Sequence, residues 1–269
     1  MPILKLDDAD IHYETNGAGP PMLFCSATAT HGDVWKFYQV AEFSRDHTVI
    51  TFDQRGTGKS PARSNDYSNT RLALDAAALL DHLGGGPAVV CGHSNGGRVA
   101  QRLAVERPDL VKKLVLLSSG GASKTPGLPL GMVMEMVELG YEPWVRDQAI
   151  RNGFSKAWIA TNPVELERYL AVRLADPPSL EVYLRHVLGR QAFNLGERIR
   201  DIRAPTLVMV GDDEDHGAPG HETHFAYAKS LSRDIPRARL AVLAGQGHYY
   251  YFSDPDAMHG AMRTFLAEA

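Results

Sequence analysis

Short apolar runs alternate along this chain with longer segments in which apolar residues recur at helical spacing. The runs predict strands at residues 22–26, 48–53, 87–91, 114–118, 205–211 and 238–243, preceded by a hairpin of residues 3–6 and 11–14. Helical spacing is found between them, at residues 34–43, 70–83, 95–107, 223–231 and 256–267. We therefore predict an α/β fold, with a doubly wound, mostly parallel eight-stranded sheet covered on both faces.

The alternation of strands and helices breaks between residues 119 and 203. This stretch predicts helices at 132–139, 142–151, 163–173 and 179–188. It could be a helical insertion packed on the sheet or a lid over a functional site, and we favour a lid (cap) at 119–203 on a core of residues 1–118 and 204–269. Its inner face would be soft and apolar, formed by Met132, Met134, Met136, Trp144 and Trp158.

The segment Gly92-His93-Ser94-Asn95-Gly96 joins a predicted strand to a predicted helix. The pattern G-x-S-x-G in this context is a nucleophile elbow, a strained turn that presents the serine hydroxyl at the head of the helix. Small residues flank the serine because the turn brings backbone segments close together. We predict that Ser94 is a catalytic nucleophile.

A serine nucleophile needs a base, and the base needs a carboxylate to orient it. Of eleven histidines, His248 follows the last predicted strand, where catalytic side chains of open α/β sheets gather. The acid should follow the strand 205–211. Four carboxylates crowd there, and we choose Asp215, with Asp213 second; the list is Asp212, Asp213, Glu214 and Asp215.

The oxyanion of an acyl-transfer intermediate needs two N–H donors. One would be the backbone N–H of Asn95, directly after the nucleophile, and the other would come from the turn after strand 22–26, where Ser26 and Ala27 lie.

These motifs together resemble the α/β-hydrolase superfamily in its lid-bearing branch, and most closely the small esterases and enol-lactonases. The resemblance covers essentially the whole chain. It rests on the elbow, the turn of residues 53–60, the Gly211…Asp215…Pro219 loop and Gly247-His248. In such enzymes the turn at Asp53 is structural or forms a pocket edge, so we assign it no catalytic role.

Two features depart from the superfamily pattern. The acid commonly lies three residues after the strand-end glycine and four before a proline, which points here to Glu214 by the first rule and Asp215 by the second. The usual His-Gly after the third strand is replaced by the run from Phe24 to Thr30. We take Ala27 as the second N–H donor, while the hydroxyl of Ser26 or Thr28 could add a further donor.

Composition narrows the function classes. The chain has 269 residues, a net charge of −4, no basic stripe and no run long enough for a membrane helix, so we expect neither nucleic-acid nor membrane binding. Cys25 and Cys91 lie in apolar runs, which favours buried free thiols and a cytoplasmic protein. His221 and His224 have the wrong spacing for a metalloprotease helix, so we expect no metal and no cofactor.

The sequence thus predicts a serine hydrolase of a carboxylic ester or lactone, acting through Ser94, His248 and Asp215 on a small-molecule substrate. The methionine- and tryptophan-rich lid predicts that this substrate is apolar and fairly large. An amidase or iminopeptidase and a carbon–carbon bond hydrolase would use the same triad and remain open. A ligand receptor with little turnover is the alternative from another class. Epoxide- and halide-cleaving relatives are disfavoured because they carry aspartate where this chain has Ser94.

Overall fold

A computed structural model describes residues 2–84, 86–122, 127–213 and 224–268. In these parts of the chain eight strands form one sheet in the order β1-β2-β4-β3-β5-β6-β7-β8. The two pairings that involve β2 are antiparallel and the others are parallel, which confirms the predicted mostly parallel sheet. The strands are β1 (Ile3–Lys5), β2 (Asp10–Asn16), β3 (Pro21–Cys25), β4 (Thr48–Phe52), β5 (Ala88–His93), β6 (Val111–Leu117), β7 (Thr206–Gly211) and β8 (Ala238–Leu243).

The register of the parallel strands places their carboxyl ends at one edge. Cys25 at the end of β3 pairs with Gly92 in β5, and His93 at the end of β5 pairs with Leu117 at the end of β6. All six residues of β5 are buried, as expected for a central parallel strand covered on both sides. The loops after β3, β5 and β6 are consequently neighbours.

Helices cover both faces of the sheet. They are α1 (Gln39–Phe43), α2 (Asn69–His82), α3 (Asn95–Glu106), α4 (Leu130–Leu139), α5 (Tyr141–Gln148), α6 (Lys156–Thr161), α7 (Pro163–Arg173), α8 (Leu180–Gln191), α9 (His224–Asp234), α10 (Tyr250–Ser253) and α11 (Pro255–Leu266). Apolar side chains of α2, α3 and α9 share one hydrophobic cluster, whereas those of α1 and α11 share the other. The two clusters are the two faces of a doubly wound sheet.

The prediction of one continuous helix at 34–43 is wrong. A 3-10 helix (Gly32–Lys36) precedes α1, and Tyr38 between them has φ −146°, outside the helical range. Trp35 is fully buried and its Nε1 donates to Ser26 Oγ at 3.0 Å, so a side-chain contact made across the loop outweighs the helical spacing. The short helices α6 and α10 were not predicted, because four to six residues carry little periodicity.

Five helices, α4 to α8, lie between β6 and β7, together with a π-helical turn (Ala149–Gly153). They contact the carboxyl edge of the sheet at several places. His31 lies 2.9 Å from the carbonyl of Val172, His186 lies 3.0 Å from the carbonyl of Arg55, and Gly153 accepts a hydrogen bond from the N–H of Tyr249 at 2.9 Å. The helices therefore contact the loops that carry the predicted site.

The apolar residues predicted for the inner face of this helical segment do not all share one side. Met136 and Trp144 are buried, whereas Met134 is 58% exposed. Met134 is two residues from Met136, a spacing that places the two on different sides of α4. Both cysteines, Cys25 and Cys91, are buried and free, as predicted. None of the helices in the described ranges is long and apolar enough to cross a bilayer.

Candidate active site

Ser94 lies at the junction of β5 and α3 with φ 54° and ψ −115°. Such positive φ values are unfavourable for a residue with a side chain and persist only where the surroundings fix them. The turn is tight because a side chain at Gly92 would overlap the carbonyl of Gly96. A side chain at Gly96 would overlap the carbonyls of Cys25 and Ser26, so the start of α3 also lies directly against the end of β3.

Hydrogen bonds fix the backbone of Ser94 from both sides. Its N–H donates to Leu117 at 2.8 Å, and its carbonyl accepts from the N–H of Gly97 at 3.1 Å. The Ser119 hydroxyl donates to the same carbonyl at 3.0 Å. The strained turn predicted from G-x-S-x-G is therefore present, and residues after β6 help to hold it.

His248 lies in the loop between β8 and α10, at the same edge of the sheet. Its carbonyl is 3.0 Å from His93 Nε2 and accepts from the Ser118 hydroxyl at 3.4 Å. The rings of His93 and His248 are 4.6 Å apart between centroids. The chain neighbours of Ser94 and of Ser119 thus bind His248, which brings the predicted nucleophile and base to one place.

The environment of His93 keeps it neutral. Burial holds the pKa of His93 well below its usual range. Its Nε2 faces a carbonyl, so this nitrogen carries the proton and donates. His93 is thus a structural link between β5 and the loop of His248.

The predicted acid, Asp215, and its neighbour Glu214 lie outside the described residues. In the described part of that loop, the Asp213 N–H donates to the carbonyl of Gln246 at 3.0 Å, and the Asp212 carboxylate accepts from the N–H of Gly245 at 2.5 Å. These hydrogen bonds connect the loop after β7 to the loop after β8. The loop that carries the acid therefore starts beside the loop that carries His248. Asp215 stays a prediction.

The loop of residues 26–31, here the β3 loop, packs against the start of α3. The carbonyl of Ala27 accepts from the N–H of Thr30 at 3.1 Å, and Ala29 has φ 48°, so the loop begins with a tight turn. The Ser26 hydroxyl donates to the His31 carbonyl at 3.3 Å and accepts from Trp35. That hydroxyl is therefore engaged within the loop, which leaves a backbone N–H such as that of Ala27 as the better oxyanion donor.

The turn of residues 53–60, here the Asp53 turn, holds the β3 loop in place. Gln54 Nε2 donates to the Ser26 carbonyl at 2.8 Å. The Asp53 carboxylate accepts from the N–H of Gly32 at 2.7 Å and from the N–H of Lys59 at 2.9 Å. We did not predict the bracing role of Gln54, since no local sequence pattern ties it to a loop twenty-eight residues earlier.

Asn95 supplies the first backbone N–H of α3 and is fully buried. Its side-chain Oδ1 accepts from Asn69 Nδ2, at the start of α2, over 3.0 Å. This contact ties the Asn95 side chain to α2, and the main-chain N–H of Asn95 is a candidate donor to an oxyanion. Asn69 is a second supporting residue that the sequence did not reveal.

An aromatic wall connects His248 to the helical segment between β6 and β7. The Tyr249 ring lies 5.3 Å from the His248 ring, 5.3 Å from Phe154 and 5.1 Å from Tyr169. In the run of aromatic residues 249–252, Tyr251 and Phe252 are buried. Tyr249 lies between the proposed base and the rings of Phe154 and Tyr169.

Comparisons with known proteins agree with this geometry. The family model of the alpha/beta hydrolase family matches residues 22–261. RutD of Azorhizobium caulinodans, provisionally named a carbamate hydrolase, is 31% identical over 100% of this chain and 99% of its own length.

Solved structures add lactone-cleaving enzymes. The structure of Est816, described as an N-acyl homoserine lactone degrading enzyme, is 28% identical with a TM-score of 0.84 and covers 98% of this chain and 100% of its own. The enol-lactonase of Burkholderia xenovorans has a TM-score of 0.86 over 99% of this chain and 100% of its own, and at 23% identity it shows the fold alone. With a family model that spans most of its length and a relative matched from end to end, this chain belongs to the alpha/beta hydrolase family.

Proposed function

We propose that this hydrolase cleaves a carboxylic ester or lactone through an acyl-enzyme on Ser94. The observation that carries the proposal is the backbone of Ser94, held at φ 54° at the head of α3 and beside the loop of His248. Strain of this kind is kept where function needs it, and an elbow serine exposes its hydroxyl to both a base and a helix N-terminus.

In the first half of the reaction, Ser94 Oγ attacks the carbonyl carbon while His248 takes the hydroxyl proton. Asp215 would orient the imidazole and stabilise its cation. The tetrahedral intermediate collapses with cleavage of the bond between the carbonyl carbon and the leaving oxygen, and His248 returns the proton to that oxygen. Water, deprotonated by His248, then attacks the acyl-enzyme, which releases the acid and restores Ser94.

The negative oxygen of each intermediate would accept from the backbone N–H groups of Asn95 and Ala27. Both residues lie where α3 meets the β3 loop, and the positive end of α3 points to the same place. Loss of one such donor costs about 100- to 1,000-fold in kcat in other enzymes.

The substrate would be a small molecule bound beneath a lid formed by residues 119–203. Contacts of His31, Tyr249 and the Asp53 turn with this segment support a cover over the site. The name of Est816 favours a lactone, whereas the name of RutD favours a carbamate as the second candidate. The buried free thiols Cys25 and Cys91 are consistent with a cytoplasmic location.

The test is product release from matched esters, lactones, carbamates and amides by the wild type, Ser94→Ala and His248→Ala. We expect turnover of an ester or lactone, and a loss of about 10⁴-fold or more in kcat for either variant. Ser230→Ala and His47→Ala serve as controls of the same residue types far from the site. Turnover of the carbamate alone would favour the second candidate, and undiminished turnover by Ser94→Ala would refute the mechanism.

A further inference from the structure

Arg173, the last residue of α7, is a buried cation with no counter-charge among the residues that the structure describes. It is 7% exposed, and its Nη2 donates to the Tyr141 hydroxyl over a long 3.5 Å. Its Nη1 is buried and has no hydrogen-bond partner among the described residues. A buried guanidinium costs several kcal/mol unless it is paired, so this arrangement calls for an explanation.

Arg55 shows what a structural buried arginine looks like in the same molecule. Its guanidinium is fully buried, and it contacts the carboxylates of Asp75 at 2.6 Å and Asp8 at 3.0 Å. In the described ranges, by contrast, no carboxylate lies within 4 Å of Arg173. The guanidinium of Arg55 is paired with carboxylates of the protein. The guanidinium of Arg173, in contrast, has a buried donor, Nη1, that no described residue satisfies.

The surroundings of Arg173 are tyrosines rather than acids. Burial raises the pKa of Tyr249, and the positive charge of Arg173 opposes that rise, so the two side chains lie within electrostatic range of each other. Burial likewise raises the pKa of Tyr183 to about 12, with the charge of Arg190 and, to a smaller extent, that of Arg173 opposing the rise. These hydroxyls stay protonated at neutral pH and can donate hydrogen bonds to an anion.

Arg173 is also placed between the two halves of the candidate site. The carbonyl of its neighbour Val172 is bound to His31 of the β3 loop at 2.9 Å. On the other side, the ring of Tyr249 lies 5.3 Å from the ring of His248. A group bound by Arg173 would therefore be near both the oxyanion donors and the base.

We propose that Arg173, with the hydroxyls of Tyr141 and Tyr249, binds a carboxylate carried by the substrate. The substrate would then be an ester or lactone with a second, anionic end, and the purely apolar substrate expected from the sequence would be wrong. The guanidinium supplies charge and a planar pair of donors, while the tyrosines supply neutral donors in a site shielded from water. This inference rests on the proposed function for the identity of the reacting bond.

The first experiment compares two esters that differ only in charge, mono-4-nitrophenyl glutarate and 4-nitrophenyl pentanoate. We expect the wild type to prefer the glutarate by about 10- to 100-fold in kcat/KM, as a charge-assisted hydrogen bond would provide. Arg173→Gln should lose this preference mainly through KM of the glutarate, with the pentanoate little changed. Arg173→Lys should keep part of it.

Arg168→Gln is the matched control, since Arg168 lies on the same helix, is exposed and pairs with Glu165. It should keep the wild-type preference. The inference is overturned if the wild type does not distinguish the two esters. It is equally overturned if Arg173→Gln slows both esters by the same factor, because that is the result of a structural role.

A second readout separates this inference from the proposed function. Ser94→Ala protein is titrated with glutarate by calorimetry, alone and combined with Arg173→Gln. Glutarate binding that requires Arg173 supports the anion site even if no ester is hydrolysed. Ester hydrolysis by the wild type without glutarate binding to either protein leaves the proposed function intact and refutes the anion site.

Discussion

Two loops meet at the head of α3, and they are held by opposite means. The elbow is fixed by the absence of side chains, since Gly92 and Gly96 leave room only for backbone. The β3 loop is fixed by the presence of side chains that come from elsewhere, above all Gln54 and Trp35. Both loops are proposed to donate an N–H to the same oxyanion.

The difference explains why one loop is easier to predict than the other. Five consecutive residues determine the conformation of the elbow, because its constraint is local and steric. The β3 loop depends on the Asp53 turn, which the chain reaches only after α1 and β4. If this comparison holds, damage to the elbow should be severe and damage to the braces of the β3 loop should be graded.

Gly96→Ala should have the largest effect, because its methyl group would overlap the carbonyls of Cys25 and Ser26 and push the two loops apart. We expect a loss of about 1–3 kcal/mol in the free energy of unfolding. A displacement of about 1 Å at the site can cost 100-fold in kcat, and we expect at least about that. Urea denaturation and ester kinetics measure the two effects.

Gly260→Ala is the control for Gly96→Ala. Gly260 lies on the exposed side of α11, where an added methyl group meets nothing. Alanine there should raise stability by up to about 1 kcal/mol through helix propensity and leave kcat unchanged. Equal behaviour of the two variants would contradict the steric account of the elbow.

Gln54→Leu should have an intermediate effect, because it leaves the buried Ser26 carbonyl without its donor. A buried unsatisfied carbonyl costs about 1–3 kcal/mol. We expect kcat to fall about tenfold while the fluorescence spectrum of the folded protein is retained, since the β3 loop is loosened rather than displaced. Gln148→Leu, on the cap, is the control, and an unchanged kcat in Gln54→Leu would show that the brace is dispensable.

His186, on α8, tests how a helix between β6 and β7 supports the Asp53 turn as pH changes. Its Nε2 lies 3.0 Å from the Arg55 carbonyl, and burial lowers the pKa of His186 to about 4 from its usual 6.5. Below pH 6.5 the unfolded chain takes up a proton that the folded chain does not, so stability is present above that pH and is lost as pH falls towards 4. The loss between pH 7 and pH 5 should be about 2 kcal/mol from this group.

His186→Gln keeps a donor near the Arg55 carbonyl but cannot titrate. We expect the fall in unfolding free energy from pH 7 to pH 5 to be smaller in this variant than in the wild type. An identical pH dependence in the two proteins would mean that His186 does not contribute to it.

Ser26→Ala should have the smallest effect on catalysis. The Ser26 hydroxyl is bound to Trp35 and His31, so its removal costs stability of about 1 kcal/mol through the lost hydrogen bonds. We expect kcat to change by less than about threefold, because a backbone N–H and not this hydroxyl is the proposed oxyanion donor. A loss of about 100-fold in kcat, with the fold intact, would instead assign the oxyanion contact to the hydroxyl.

The sequence predicted the sheet because each parallel strand is a short apolar run between turn residues, a signal that depends on few neighbours. It predicted Ser94 and His248 for the same reason, since strand ends and glycines mark both positions. It did not reveal Arg173, because α7 carries three other charged residues, and only the packing of this helix decides which cation is buried. The prediction of a continuous helix at 34–43 was wrong for a similar reason, because Trp35 makes a contact across the loop.

The central claim is that Ser94 is an activated nucleophile, and covalent labelling tests it most directly. The wild type and Ser94→Ala are treated with a fluorophosphonate and their intact masses are measured, with Ser26→Ala as a control. The account predicts one adduct on the wild type and on Ser26→Ala, mapped to the peptide that contains Ser94, and none on Ser94→Ala. An adduct that persists in Ser94→Ala, or a folded wild type that takes up no label, would contradict it.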